Sequence, residues 1–255
     1  MLYNLFEVFV LSVVQGISEF LPVSSSAHLF LISEIYEFKS QSLSLDVSLH
    51  LGSLLAIILY FRKDLFNIFN DRKLLLLIFF GSLPLIIVGF IVFKTGAISV
   101  LRNIEMIAWI SLIFAFILFL SDKIKIKKKF ETNLDIKNIL IIGIFQILAL
   151  IPGVSRSGIV ITIGRFLKFN RVDSTKISFY LSIPAIAGAS FLSLNNITSQ
   201  KIELNIMILF SIIFSFIFSF LTIKYFLIYV KNFSLNLFVI YRILLSFLLF
   251  YIIYI

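Results

Sequence analysis

Gln15-Gly16-Ile17-Ser18-Glu19-Phe20-Leu21-Pro22-Val23-Ser24-Ser25-Ser26-Ala27-His28 interrupts the first long apolar stretch of the chain. Gln15 and Glu19 are four residues apart, so a helix carries them on one face. Pro22 has no N–H to donate and disfavours a helical Leu21 before it, so that helix stops there. Three serines follow at the expected start of a new helix, where hydroxyls and free N–H groups suit an anion or simply cap the helix. A carboxylate in the middle of an apolar segment costs several kcal/mol or more, on the order of 3 even by the mildest scales, which marks Glu19 as a functional candidate.

The surroundings of this stretch are lipid. Of 255 residues, 60% are hydrophobic and 14% charged, against about 25% charged in an average soluble domain. Eight apolar segments are expected, at roughly 5–33, 43–61, 74–93, 104–121, 138–167, 177–194, 204–223 and 235–255. A helix of about 20 residues crosses the hydrocarbon core, so the fold class is an all-α polytopic membrane protein. Met1, Leu2, Tyr3 and Asn4 form no basic region and Glu7 follows, so a cleaved signal peptide is not expected. With no cysteine there is no disulfide and no thiolate metal site. The net charge of +9 reports loop orientation rather than a nucleic-acid partner.

The last four segments echo the first four. Gln15 and Gln146, Ser24 and Ser155, and Ser26 and Ser157 are each 131 residues apart. The second motif reads Pro152-Gly153-Val154-Ser155-Arg156-Ser157-Gly158. This divides a single membrane domain, 1–255, into repeat one at 1–121, a cytoplasmic linker at 122–137 and repeat two at 138–255. If all eight segments cross, Lys and Arg divide 10 to 9 between the faces. If the first segment of each repeat is instead a re-entrant hairpin broken at its proline, they divide 16 to 4, with Arg156 and Arg242 left out as lying within apolar sequence. Cytoplasmic loops are rich in Lys and Arg, so the second arrangement is the expectation. It gives two inverted-topology repeats, each a broken-helix hairpin plus three transmembrane helices. There are then six full crossings, both termini lie outside, and the hairpin tips can meet near the midplane. Lys123 to Lys129 fall in the cytoplasmic linker, as a topology anchor near anionic lipid.

The second hairpin adds a cation, Arg156, whose partner is either Glu19 or a phosphate gripped by the planar guanidinium. Ser155, Ser157 and the glycines beside them resemble an oxyanion cradle. His28 lies nine residues from Glu19 and three from Ser25, which makes it a candidate general acid or base. His50 falls one turn after Asp46, and an orienting role is expected of it ahead of direct catalysis. Arg242 is expected to pair with a carboxylate or snorkel to an interface, without a chemical role.

These residues resemble the undecaprenyl-pyrophosphate phosphatases, also called bacitracin-resistance proteins. The likeness covers nearly the whole chain and rests on Gln15 to His28, Pro152 to Gly158, and Ser178-Phe-Tyr-Leu-Ser-Ile-Pro184 with its small-residue tail Ala185 to Ala189. The resemblance implies hydrolysis of undecaprenyl diphosphate to the monophosphate, recycling the carrier lipid of the cell wall in the bacterial cytoplasmic membrane. It also implies bacitracin resistance through loss of the drug's target, and a divalent cation, Mg2+ or Ca2+, with Glu19 as its ligand. Mapped by motif, catalysis falls on Glu19, Ser25, His28 and Arg156. Substrate phosphates fall to Gln15, Ser24, Ser26, Ser155, Arg156 and Ser157. Many members have Glu where this chain has Gln15, leaving one fewer charged metal ligand, and Ala27 stands where others often have Gly. The expected partners are the polyprenyl diphosphate and membrane lipids, with a homodimer left open. A transporter or flippase of polyprenyl phosphate is the rival, since inverted repeats with broken helices are common among transporters. A non-catalytic lipid-binding protein is the other.

The charge count gives a topology that labelling can check. Lys39→Cys and Lys128→Cys, made singly in a chain without cysteine, should react with an impermeant maleimide from opposite sides of the membrane. Reaction of both from the same side would exclude the inverted arrangement.

Overall fold

A computed structural model describes residues 2–36, 38, 42–96, 103–197 and 206–254. Lys39, Arg102 and Lys201, three of the four basic residues counted on the outer face, lie outside the described residues, as do positions 204, 205 and 255 of the expected segments. The helices are α1 (Leu2–Ser18), α2 (Ser25–Ile35), α3 (Leu43–Tyr60), α4 (Arg62–Asn70), α5 (Arg72–Thr95) and α6 (Ile104–Asp122) in the first part. They continue with α7 (Phe130–Asn133), α8 (Ile136–Gln146), α9 (Arg156–Phe166), α10 (Arg171–Ile197), α11 (Ile206–Asn232) and α12 (Asn236–Tyr254). A 3-10 turn at Ile147–Leu150 follows α8.

Among the described residues, five helices are long and apolar enough to cross a membrane: α5, α6, α10 from Arg171 to Leu192, α11 and α12. The sixth expected crossing is α3, whose 18 residues rise about 27 Å, slightly short of the core. Two stretches read as loops are helical. Residues 62–70 form α4, whose Leu65 and Phe66 share a short helix with Arg62, Lys63 and Asp64. The linker contains α7, and Lys128 bridges to Phe169 beside the start of α10. Helix α10 also begins before its apolar run, because Asn170 Oδ1 accepts from Asp173 N at 2.8 Å and starts the helix in polar sequence.

Both expected breaks occur where the prolines put them. Helix α1 ends at Ser18 and α2 starts at Ser25; α8 ends at Gln146 and α9 starts at Arg156. Ser24 (φ 76) and Ser155 (φ 71), 131 residues apart, both take the left-handed backbone conformation immediately before the new helix. Such a conformation is unusual for a non-glycine residue and is held only where surrounding contacts enforce it. Packing keeps the same correspondence, with α1 lying on α11 and α8 on α5, while α3 meets α10 and α6 meets α12. Small residues allow the close approaches. A Cβ on Gly16 would come within 2.5 Å of Phe218 Cβ, one on Gly52 within 2.5 Å of Ile212 O, and one on Gly143 would strike the Gly81 carbonyl. Serines tie α3 to α11 through Ser48 with Ser211, Ser53 with Ser215 at 3.1 Å and Ser219 with Ser53 at 3.0 Å. Such small-residue seams replace the hydrophobic effect, which is weak between helices in lipid.

Arg242 of α12 differs from expectation. It is 1% exposed, too buried to snorkel to an interface, and among the described residues no carboxylate pairs with it. Its guanidinium donates to Gly153 O at 2.6 Å, to Val154 O and Pro22 O at 3.2 Å each, and to Ser111 O at 3.3 Å. The physical reason is that breaking two helices frees carbonyls where there is no water, and five fixed N–H donors satisfy several of them at once. One side chain thus joins the tips of both hairpins.

Arg242→Met should therefore lower the protein's stability in detergent by at least about 3 kcal/mol, since each buried carbonyl left without a donor costs about 1–3 kcal/mol. A melting temperature equal to that of the unaltered chain would show that the brace carries no load.

Candidate active site

The hairpin tips touch. Ser157 Oγ donates to Leu21 O at 2.6 Å and Ser155 Oγ reaches the same carbonyl at 3.4 Å. Between the breaks lies a cavity of about 200 Å³ lined from the first half by Glu19, Ser24, Ser25, Ser26 and His50, and from the second by Leu150, Ser155 and Arg156. Leu85 of α5 and Ala185, Ile186 and Ala189 of α10 complete an apolar wall.

Glu19 sits in the α1–α2 break, 7% exposed, with each carboxylate oxygen engaged. Oε1 accepts from Arg156 Nη2 at 3.0 Å. Oε2 accepts from Ser25 Oγ at 2.6 Å and from Gln15 Nε2 at 3.1 Å. The one-turn spacing of Gln15 and Glu19 is thus realised as a contact. Arg156 is held in turn by Ser178 O, which accepts from Nη1 at 3.3 Å, so the first residue of the stretch from Ser178 to Pro184 orients the arginine through its carbonyl. A buried cation and carboxylate at this distance relieve each other's desolvation. This is the ion pair that the sequence left as one of two partners for Arg156.

The two histidines separate. His50 borders the cavity, with Nδ1 at 2.9 Å from Gln15 Nε2 and 3.8 Å from Glu19 Oε2. Because the amide nitrogen donates, Nδ1 accepts and the neutral ring keeps its proton on Nε2. His28 does not border the cavity. Its Nδ1 lies 2.7 Å from Ser24 O, an acceptor, so Nδ1 carries the proton, and Nε2 accepts from Tyr241 OH at 2.5 Å. The two rings stack 5.7 Å apart. His28 therefore grips the carbonyl of the left-handed Ser24, and neither ring nitrogen is directed to Ser25 or Glu19. Sequence spacing missed this because three residues along a helix put His28 near Ser25 in the chain without fixing the direction of the ring.

The serines divide likewise. Ser25 is hydrogen-bonded to the carboxylate, Ser24 and Ser26 face each other at 3.4 Å, and both border the cavity. Ser155 borders it too but also caps α9 by accepting from Gly158 N at 3.0 Å. Ser157, 1% exposed, is a tie between hairpins. Helices α2 and α9 both begin at the cavity, and their first N–H groups have no intrahelical acceptor, which favours an anion between them.

No group of three or more His, Cys, Asp or Glu side chains gathers among the described residues. The Glu19 carboxylate borders the cavity with both oxygens already engaged, and Gln15 Oε1, buried beside it but outside the cavity lining, has no hydrogen-bond partner among the described residues. Mg2+ suits one or two protein oxygens completed by substrate phosphates, so this donor set fits a cation shared with a diphosphate rather than caged by protein.

Residues 8–248 match the family described as bacitracin resistance protein BacA. A relative from Pelagibacter ubique, named undecaprenyl-diphosphatase, is 58% identical over 255 residues and all of both chains. Relatives with the same name from Elusimicrobium minutum and Alcanivorax borkumensis are 41% and 36% identical, the alignments covering 91% and 94% of this chain and 92% and 96% of theirs.

The contact between Ser25 and Glu19 generates a test. Glu19→Gln keeps an oxygen toward Arg156 but not the charge, and should lower turnover by about 100-fold or more, the scale of losing a positioned base. Removing one member of the buried pair should also cost stability. His50→Ala and His28→Ala, assayed beside it, should differ in kind: the first removes the hold on Gln15 beside Glu19 and lowers turnover, and the second removes the grip on Ser24 O and acts mainly on melting. Near-normal turnover in Glu19→Gln would remove the carboxylate from the chemistry.

Proposed function

The chain belongs to the bacitracin resistance protein BacA family, and we propose that the cavity between its hairpins is where it removes the terminal phosphate of undecaprenyl diphosphate. The chain is a multi-pass membrane hydrolase whose substrate is a polyprenyl diphosphate lipid, and water converts that substrate to undecaprenyl phosphate and inorganic phosphate. The observation that carries the site assignment is the 2.6 Å hydrogen bond from Ser25 Oγ to Glu19 Oε2, with Arg156 on the other carboxylate oxygen. A hydroxyl paired with a carboxylate is the arrangement of an activated nucleophile.

In this reading Ser25 Oγ attacks the terminal phosphorus and Glu19 accepts its proton. The bond from that phosphorus to the bridging oxygen breaks, and the lipid monophosphate leaves with the electron pair. Water then attacks the phosphoserine, the bond from phosphorus to Ser25 Oγ breaks, the proton held by Glu19 returns to that oxygen, and phosphate leaves with the protons of the water, while His50 at the cavity edge holds Gln15. Arg156 and the first N–H groups of α2 and α9 stabilise the equatorial oxygens, where most phosphoryl-transfer catalysis lies. Ser24, Ser26 and Ser155 contact the phosphates, while Gln15 positions Glu19 and His50. A divalent cation, Mg2+ or Ca2+, held by Glu19 and Gln15 Oε1 together with the diphosphate, would supply further positive charge to those oxygens.

The membrane is the bacterial cytoplasmic membrane with both termini outside, a reading supported by the 16 to 4 charge division. Matched packing of α1 on α11 and α8 on α5 supports two related halves, and the 16 to 4 charge division supports their inversion.

Pure protein in detergent should release phosphate from undecaprenyl diphosphate, since hydrolysis needs no sealed membrane and transport does. Arg156→Lys keeps the charge and loses the planar fork. Turnover at saturating substrate should fall roughly 100- to 1000-fold, the scale of losing one oxyanion donor, about 2.7–4 kcal/mol. A structural ion pair predicts otherwise, because lysine could still meet Glu19, and Arg156→Ala would act mainly on melting. Near-normal turnover in Arg156→Lys, or a loss accounted for by unfolding, would defeat the phosphate assignment.

A further inference from the structure

A second, larger cavity of about 530 Å³ runs between α5 and α10 and shares Leu85, Leu150, Ala185 and Ala189 with the catalytic cavity. Beyond those shared residues its walls are apolar, among them Ile86, Phe90, Phe93, Phe191 and Leu192. It starts immediately after two helix-interior prolines, Pro84 of α5 and Pro184 of α10. Each proline lacks the N–H that would bond the carbonyl four residues back, and such positions are where helices bend. Two glycines, Gly89 and Gly188, line the groove, and a side chain at either would meet its neighbours at ordinary van der Waals distance rather than collide with a facing helix. A Cβ on Gly89 would lie 3.6 Å from Leu150 Cδ2, and one on Gly188 would lie 3.9 Å from Ile86 Cγ1. At the other glycine contacts, Gly16, Gly52 and Gly143, a Cβ would collide with backbone or with Cβ atoms of the facing helix. Gly89 and Gly188 thus leave a slot along α5 and α10, whereas Gly81, before Pro84 on α5, closes a seam in which a Cβ would meet Ile139 Cγ1 at 2.7 Å and Leu181 Cδ2 at 2.9 Å.

We propose that this groove holds the part of the isoprenoid chain nearest the diphosphate, and that Gly89 and Gly188 set how well the enzyme discriminates long chains from short ones. The proposal rests on the hydrolysis reading above and adds the determinant of chain recognition. The occupant follows from continuity. Leu150 stands 131 residues from Glu19 and borders both cavities, so one ligand with its charged head against Glu19 and Arg156 must leave past Leu150 into the groove. From Leu85 to Phe93 the groove is about 12 Å long, enough for the first units of a long chain, with the remainder left in the bilayer. The contact is dispersive and hydrophobic, so it scales with the length of chain seated.

The test uses Gly89→Leu and Gly188→Leu, substitutions that raise helix propensity and fill the groove. The efficiency kcat/KM on undecaprenyl diphosphate should fall about tenfold or more relative to that on dimethylallyl diphosphate, whose single isoprene unit does not extend along the groove. In parallel, the unaltered protein is irradiated with a long-chain isoprenyl diphosphate bearing a diazirine near its head, and the adducts should map to 85–93 and 185–192. Equal loss on both substrates, no loss on either, or adducts on another helix pair would overturn the proposal. So would a groove labelled by a diazirine phospholipid and not by the isoprenyl analogue. If the leucine variants unfold, the adduct map decides alone. Failure of the unaltered protein to hydrolyse either substrate would instead strike the hydrolysis reading, and the adducts would still report where the chain lies.

Discussion

Backbone groups set free inside a membrane must find partners in the protein, and this requirement shapes the rest of the structure. Two helices are broken, at Glu19–Ser24 and at Ile151–Ser155, so carbonyls that would bond within a helix are exposed to an interior without water. Arg242 takes three of them, Pro22 from the first hairpin and Gly153 and Val154 from the second. Ser155 and Ser157 take Leu21 O, and His28 takes Ser24 O. Most of these bonds run between the halves or from α12 to a hairpin, so satisfying the backbone and assembling the cavity are the same event. Two left-handed serines persist at the tips because those contacts fix the carbonyls on either side of them.

The cavity inherits its chemistry from unequal use of two similar halves. The 131-residue offset relates Glu19 to Leu150 and Ser25 to Arg156, and all four border the same space. One hairpin keeps the carboxylate and hydroxyl, and the other replaces them with a leucine and a guanidinium. A symmetric pair of carboxylates here would place two negative charges beside a diphosphate, which repels them both. Leucine in place of the second carboxylate and a guanidinium in place of the second hydroxyl avoid that conflict, and the proposed path of the lipid would run past Leu150.

The sequence carried the fold to good depth, because lipid imposes few solutions. Proline and serine in apolar runs marked both breaks, and the apolar segments match the long helices apart from their polar ends. Where water rather than lipid is the solvent, hydropathy is silent, which is why α4 and the first turns of α10 were read as loop. Within the site, four-residue spacing on one helix was enough to join Gln15 to Glu19. Contacts between distant elements were legible only as alternatives, such as Arg156 with Glu19 or with phosphate. Those depending on ring direction, His28 toward Tyr241 and His50 toward Gln15, were not legible, since spacing along the chain does not determine a side-chain rotamer. Arg242 could have been flagged by a simple count. Two broken helices supply more unpaired carbonyls than local serines can serve, and a fully buried arginine with no acidic residue nearby in sequence is the side chain with enough donors.

The resting contact between Glu19 and Arg156 also bears on how substrate and nucleophile are coordinated. A buried carboxylate without a partner would be costly, so the arginine stabilises Glu19 in the cavity wall. An incoming diphosphate offers the same guanidinium a more highly charged partner with a matching pair of oxygens. In the proposed reaction, as the fork turned toward phosphate Glu19 would lose a positive neighbour at the moment when the proton of Ser25, 2.6 Å away, needs an acceptor. Substrate binding and activation of the hydroxyl would then be coupled through one side chain, contributed by the half of the chain that lends no carboxylate to the cavity lining. The coupling requires that Arg156 reach both positions without leaving Ser178 O, its anchor at 3.3 Å. That anchor lies on α10, the helix that also forms one wall of the groove, so the same helix that orients the arginine would meet the lipid chain of the substrate.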